Sequence, residues 1–454
     1  MKKFAPLALV AATALLAVLA APPSTVNAKT TLGSPAEGSV TMDAALERSR
    51  LLAGERGETF LRIALVGQRA PQTERLPMNV VVVIDRSGSM SGRSPTGSEK
   101  MADARQAAKF LVDQLADGDK VAIVSFDNGA EVLSEARVIG AGVAREIARR
   151  IDTLHARGGT DMVSGLNVGL EQASSLMRRD QVNRIILISD GLPNTEEGLQ
   201  DISRRAAGKG ITVTTMGVGT DYNENLMSRI ADAGQGNYYF IRDSARMATI
   251  FGEELKSMMA VVAREAVLKI ALKNGVRVEE VFGYEASTGR SEAAIPIGDI
   301  LGGRSSEVLA RLSFPASSGN TELVNVTLAY HDALANTGRT ATTAVAASFV
   351  ADREQVAASL NKDVAEKVEK VKVATAVNKA MEEYKKGNAD KAQGILRAQN
   401  AATAQANAYI GSASLSSELQ QMDALEDSTR ADADAPTQSA VQKSAKARAR
   451  VLSR

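Results

Sequence analysis

The chain has no cysteine among its 454 residues. That excludes disulfide staples, thiolate zinc clusters and cysteine nucleophiles together. Histidine is almost as scarce: His155 and His331 stand alone, leave little for imidazole metal sites or triads, and read as ordinary loop or strand-end residues. Tryptophan is absent and aromatics make up 4%, which points to cores built on Ala and Val. A charge of one sign is lacking too, with 54 Lys and Arg against 53 Asp and Glu. A net charge of +1 gives no global reason to expect nucleic acid or an anionic membrane as partner. After residue 28 no apolar run is long enough to cross a bilayer, so no transmembrane span is expected in the mature chain.

What is present begins with MKKFAPLALVAATALLAVLAAPPSTVNA, a basic start followed by an apolar run and a small-residue exit at Ala28. It reads as a signal peptide over 1–28, which predicts export. An exported chain without cysteine suits a bacterial envelope, periplasmic or secreted to the cell surface. Residues 29–77 read as a polar linker over 29–56 followed by a strand at Thr59–Gln68, where Leu61, Ile63 and Leu65 alternate. From Met78 to Ala260 six apolar strand segments alternate with amphipathic helices, the last helix running from Ser244 to Met259. That pattern predicts a mostly parallel, six-stranded α/β sheet covered on both faces.

Residues 261–350 change to a period of two, with Asn274–Gly275 as a hairpin signal in VLKIALKNGVRVEEV. Because the strand near Thr59 has no partner of its own, the economical architecture is an α/β domain inserted into a β-sandwich built from both flanks. Residues 351–426 read as a helical segment broken at Gly387–Asn388. The Ala/Ser/charge mixture of 427–454, ending KSAKARARVLSR, reads as a disordered tail.

The strand MNVVVVID ends in Asp85, with Ser87 and Ser89 on alternate positions behind it. One carboxylate and two hydroxyls make a poor proton relay but half a shell for a hard cation, which prefers oxygen. In an open parallel sheet the ligand crevice lies at the carboxyl ends of the strands. Two further oxygens are available there: Asp190, after the strand NRIILIS and before Gly191, and Thr160, behind Gly158–Gly159. Asp161 either adds a carboxylate to the set or caps the helix that follows; capping is the simpler reading. Gly217 and Gly219 imitate the start of a dinucleotide fingerprint, but Tyr222 stands where its third glycine would be, and a tight turn is enough to explain them.

DRSGS, GGT and SDG, in that order in an alternating α/β chain, resemble the metal-ion-dependent adhesion site of von Willebrand factor A domains. The resemblance covers about Met78 to Ala260 and implies a doubly wound, Rossmann-like sheet. It implies Asp85, Ser87, Ser89, Thr160 and Asp190 as ligands, directly or through water, of Mg²⁺ or Mn²⁺, with Ca²⁺ also possible. It further implies a protein partner presenting an Asp or Glu carboxylate, in adhesion or envelope assembly. The flanks look like exported bacterial A-domain proteins. Two other readings stand beside this one. A metal-dependent hydrolase would need a second aspartate where Ser87 stands and a base that the three loops do not offer. A structural scaffold would carry a vestigial site.

Overall fold

The period-two segments on either side of the α/β region fold together. The structure, a computed structural model, describes residues 38–69, 75–93, 97–190, 192–219, 222–241, 247–429 and 433–453; the expected signal peptide, Gly191 and Ser244 lie outside them. Three strands come first: β1 (Val40–Leu46), β2 (Arg50–Leu52) and β3 (Gly57–Gly67). The first two fall inside the stretch read as a linker, which is a correction. The alternation of Val40, Ala44 and Leu46 was short and diluted by polar residues, yet each is buried in the sandwich core.

The α/β domain follows: β4 (Met78–Asp85), α1 (Lys100–Gln114), β5 (Lys120–Phe126), β6 (Ala130–Val138), α2 (Val143–Asp152), α3 (Met162–Ser175), β7 (Val182–Ser189), α4 (Leu199–Gly208), β8 (Ile211–Val218), α5 (Glu224–Ala233), β9 (Gln235–Ile241) and α6 (Met247–Met259). The strand order is β6-β5-β4-β7-β8-β9. Only the edge strand β6 runs antiparallel. Every residue of β4, β7 and β8 is buried, as parallel strands covered on both faces require. Val80, Val82 and Ile84 pack on one face with Leu111 and Phe251, whereas Val81 and Val83 pack on the other with Leu166 and Ile230. The sheet is therefore doubly wound, and its order reverses between β4 and β7, the strands that end in Asp85 and Ser189.

The chain then returns to the sandwich through β10 (Val261–Leu272), β11 (Arg277–Phe282), β12 (Ser287–Thr288), β13 (Glu292–Leu301), β14 (Ser305–Phe314), β15 (Gly319–Asp332) and β16 (Thr337–Val350). One sheet has the order β1-β3-β14-β11 and the other β12-β13-β10-β15-β16-β2. Leu61, Ile63 and Leu65 from before the α/β domain share a core with Leu268, Ile270, Val326 and Leu328 from after it. Asn274 and Gly275 do take positive φ, at 49° and 79°, but the strands they join do not form the expected hairpin. Both edges of β10 are already occupied, by β13 and β15, so β11 crosses to pair with β14 in the facing sheet.

Helices α7 (Arg353–Ala358), α8 (Lys362–Lys385), α9 (Ala389–Ile410), α10 (Ala413–Ser428) and α11 (Ala435–Ser453) complete the chain. The α8–α9 turn falls at Gly387, whose φ is +84°. Within 427–454 the structure corrects the expected disordered tail. Ala445 and Ala449 of α11 pack with Val373, Val377 and Tyr384 of α8. Small side chains let the helix approach closely, so a segment poor in large apolar residues still buries a face. Its basic residues are paired rather than solvated: Lys443 and Lys446 reach Glu224 at 3.0 and 3.2 Å, Arg450 reaches Asp232 at 2.6 Å, and Arg448 meets Glu418.

Candidate functional site

Asp85 closes β4 with its carboxylate wholly buried. Its Oδ1 accepts the Ser87 backbone N–H at 2.7 Å, and its Oδ2 accepts the Ser189 hydroxyl at 2.5 Å. The chain then turns through one short helical turn at Gly88–Ser91, pinned by the buried Met90. That turn brings the Ser87 and Ser89 hydroxyls within 3.0 Å of each other. Ser89 donates to Asp190 Oδ1 at 2.8 Å. Asp85, Ser87, Ser89 and Asp190 are thus joined through hydrogen bonds at the point where the strand order reverses.

Thr160 arrives from a separate loop, held by backbone bonds. The Gly88 N–H donates to the Gly158 carbonyl at 3.0 Å, and the Arg157 N–H to the Arg86 carbonyl at 2.6 Å. Gly158 has φ +69°, and a Cβ on Gly159 would stand 2.9 Å from Asn128 Oδ1. The pair of glycines is required by this close approach. Asn194 clamps the other side: its N–H donates to the Thr160 carbonyl at 2.9 Å, and its Oδ1 accepts the Thr160 N–H at 3.3 Å. Among the described residues the Thr160 hydroxyl has no hydrogen-bond partner. Asp161 caps α3, with Oδ1 accepting the Ser164 N–H at 3.1 Å and Oδ2 the Ser164 hydroxyl at 2.6 Å, so its carboxylate is turned to the helix.

The electrostatics are uneven. Asp85 is raised to about 6, chiefly by burial; bonds from Ser189 and Ser87 oppose that, and the charge of Asp190 adds to it. Among the described residues its hydrogen-bond partners are all neutral donors, so a buried carboxylate lacks a cation there. Asp127, beneath the Thr160 loop, has cations: burial pushes it up, but Arg157 and Arg86, at 2.8 and 3.0 Å, hold it below the usual carboxylate range. Among the described residues no three His, Asp or Glu side chains group as a metal site. A cation here would depend on hydroxyl oxygens. An ionised carboxylate has about four acceptor sites, so Asp85 keeps capacity beyond its two bonds, and the free Thr160 hydroxyl adds another. These residues fit a hard divalent ion.

Three contributors escape a reading of the sequence alone. Ser189 stands in the SDG motif but is given no role of its own by the sequence, although a hydroxyl at a buried strand end needs a partner. Asn194 gives no signal beyond its place in a loop. Lys100 does give one: it opens α1, where the helix dipole disfavours a cation. Its Nζ lies 2.6 Å from Asp190 Oδ2, with both side chains buried.

The von Willebrand factor type A domain family matches residues 79–253. An uncharacterized protein of Synechocystis sp., sll0103, is 31% identical over 216 residues, 47% of this chain and 49% of that one. The uncharacterized protein YfbK of Escherichia coli is 29% identical over 266 residues, 56% of this chain and 45% of its own length. The chain spans about half the length of these curated relatives. Among solved structures, a von Willebrand factor type A protein from Catenulispora acidiphila matches with TM-score 0.70 at 22% identity, over 87% of this chain and 91% of that chain. At that identity the likeness is one of fold, and it extends through the sandwich and helices. The chain carries a von Willebrand factor type A domain, set into a sandwich whose strands come from both sides of it.

Proposed function

We propose that the domain captures an Asp or Glu carboxylate of a partner protein through a divalent cation, Mg²⁺ or Mn²⁺, held at Asp85, Ser87, Ser89, Thr160 and Asp190. The observation that carries this is the wholly buried Asp85, which among the described residues has only neutral donors, together with a Thr160 hydroxyl left without a partner there on the loop that Gly88 holds through Gly158. When bound, the ion supplies a positive centre for one carboxylate oxygen from outside. The chain's own residues do the rest. Asp85 and Asp190 would supply the negative charge, and Ser87, Ser89 and Thr160 would offer neutral oxygens that cancel none of the ion's charge. The clamps from Asn194 and Gly158 fix the Thr160 loop in place. Export to a bacterial envelope, read from residues 1–28, belongs to the same proposal.

Titration calorimetry with Mn²⁺ on the full chain tests the site. One strong binding event is expected, and Asp85→Ala should abolish it while the protein still melts cooperatively. Unchanged affinity in that variant removes the assignment. A pulldown from envelope extract in Mg²⁺ against chelator, with Asp85→Ala as control, then tests capture. A partner retained equally in chelator would mean that the ion is not the docking point.

A further inference from the structure

Lys100 is not a bystander to the oxygen cluster. Its side chain is 6% exposed and reaches Asp190, itself 0% exposed. Burying an ammonium is costly unless it is paired, and the first turn of α1 opposes it further, so the contact with Asp190 has to offset both. The fold makes room for the stem. A Cβ on Gly219, where φ is +76°, would stand 3.0 Å from Lys100 Cε, and one on Gly92 would stand 3.7 Å from it. The Lys100 N–H is fixed to the Gly92 carbonyl at 3.0 Å. Both oxygens of Asp190 are therefore engaged, Oδ1 by Ser89 and Oδ2 by Lys100.

Resting on the metal reading above, we propose that Lys100 is a resident counter-cation that weakens divalent-ion binding and makes it depend on an incoming carboxylate. The charges give the reason. Asp85 and Asp190 alone would neutralise a divalent ion, leaving no net attraction for a third carboxylate. With the Lys100 ammonium added, the same site holding an ion keeps one positive charge, which an outside carboxylate cancels. Lys100 thus moves part of the binding energy from the ion to the pair of ion and partner. It acts through Asp190, as a positioning residue.

The test uses the full chain, Mn²⁺ and acetate as the carboxylate probe. Wild type, Lys100→Met and Lys100→Gln are titrated with Mn²⁺ by calorimetry, with and without acetate, after near-ultraviolet circular dichroism confirms the fold of each variant. Loss of a close charge pair should tighten Mn²⁺ binding in the absence of acetate by ~10-fold or more. Acetate should strengthen Mn²⁺ binding in wild type and do so less in either variant. Tight binding in a variant with none detectable in wild type supports the proposal still more directly. Wild-type binding that stays equal or weakens in the folded variants overturns the role of Lys100 and leaves the metal site standing. Absence of binding in all three chains overturns the metal reading and this inference with it.

Discussion

Asp85 carries a stability cost that the fold tolerates. Burial raises it from 3.8 to about 6, so the ionised form is disfavoured in the native state by roughly 2–3 kcal/mol at neutral pH. Asp85→Asn removes the charge and keeps the shape. In chelator at neutral pH that variant should melt at a higher temperature than wild type, while losing Mn²⁺ binding. A lower melting temperature would show that the carboxylate is already compensated in the metal-free protein. A site less stable than its neutral isostere is what function retains against stability. Asp85, Ser87, Ser89 and Asp190 were legible in the sequence because a continuous apolar strand ending in oxygens is unusual. Thr160 was legible through its two glycines. Lys100 was not absorbed, because a lone lysine at a helix start reads as surface charge until the crevice behind it is seen.

The elements differ in how openly they announce themselves. Strands β4, β7 and β8 are unbroken apolar runs and could be read directly. The Asn274–Gly275 turn misled because turn chemistry fixes a reversal of the chain and not the sheet that receives it; the occupied edges of β10 decide that. Helix α11 was hidden for another reason, since its holding force is ionic and its apolar face is mostly alanine. Lys443 donates to Glu224 at 3.0 Å and to the Tyr222 carbonyl at 2.7 Å, and lies 4.4 Å from the centre of the Tyr222 ring. Burial pushes Glu224 up, but the Lys443 bond and the charges of Lys443 and Lys446 override it and bring it down to about 2. A lowered carboxylate contributes stability above its unfolded value of about 4.5 and loses it as pH falls toward about 2. Glu224→Gln should therefore melt below wild type at neutral pH, and the gap should close as the solution is acidified through that range. A gap that is constant with pH would mean that the contact is one of shape rather than charge.

At the scale of the whole molecule, the α/β domain leaves and rejoins the sandwich at one place. Gly67, at the end of β3, accepts from the Gly303 N–H at 2.8 Å and donates to the Arg304 carbonyl at 3.1 Å. Ala260, just before β10, accepts from the Gly302 N–H at 2.7 Å. One turn, Gly302–Arg304, holds both crossings, so removing the domain leaves chain ends that a short linker can join. The sandwich cannot lose the first flank in the same way. β3 sits between β1 and β14, and Leu61, Ile63 and Leu65 are each 0% exposed, together worth roughly 5 kcal/mol or more of burial. Residues 261–350 alone should therefore be unfolded or aggregated, whereas 38–69 joined by a Gly/Ser linker to 260–350 should give a cooperative, β-rich melt. The excised 75–260 piece should fold too, with its faces toward the sandwich and toward α11 exposed: Arg184, buried between Glu254 and Asp299 of β13 at 2.7 Å, would lose the second of these partners, and Glu224 would lose Lys443 and Lys446. Circular dichroism melts of the three fragments distinguish the cases. Equal stability of 261–350 with and without the first flank would mean that β1 and β3 only decorate a sandwich that is complete without them.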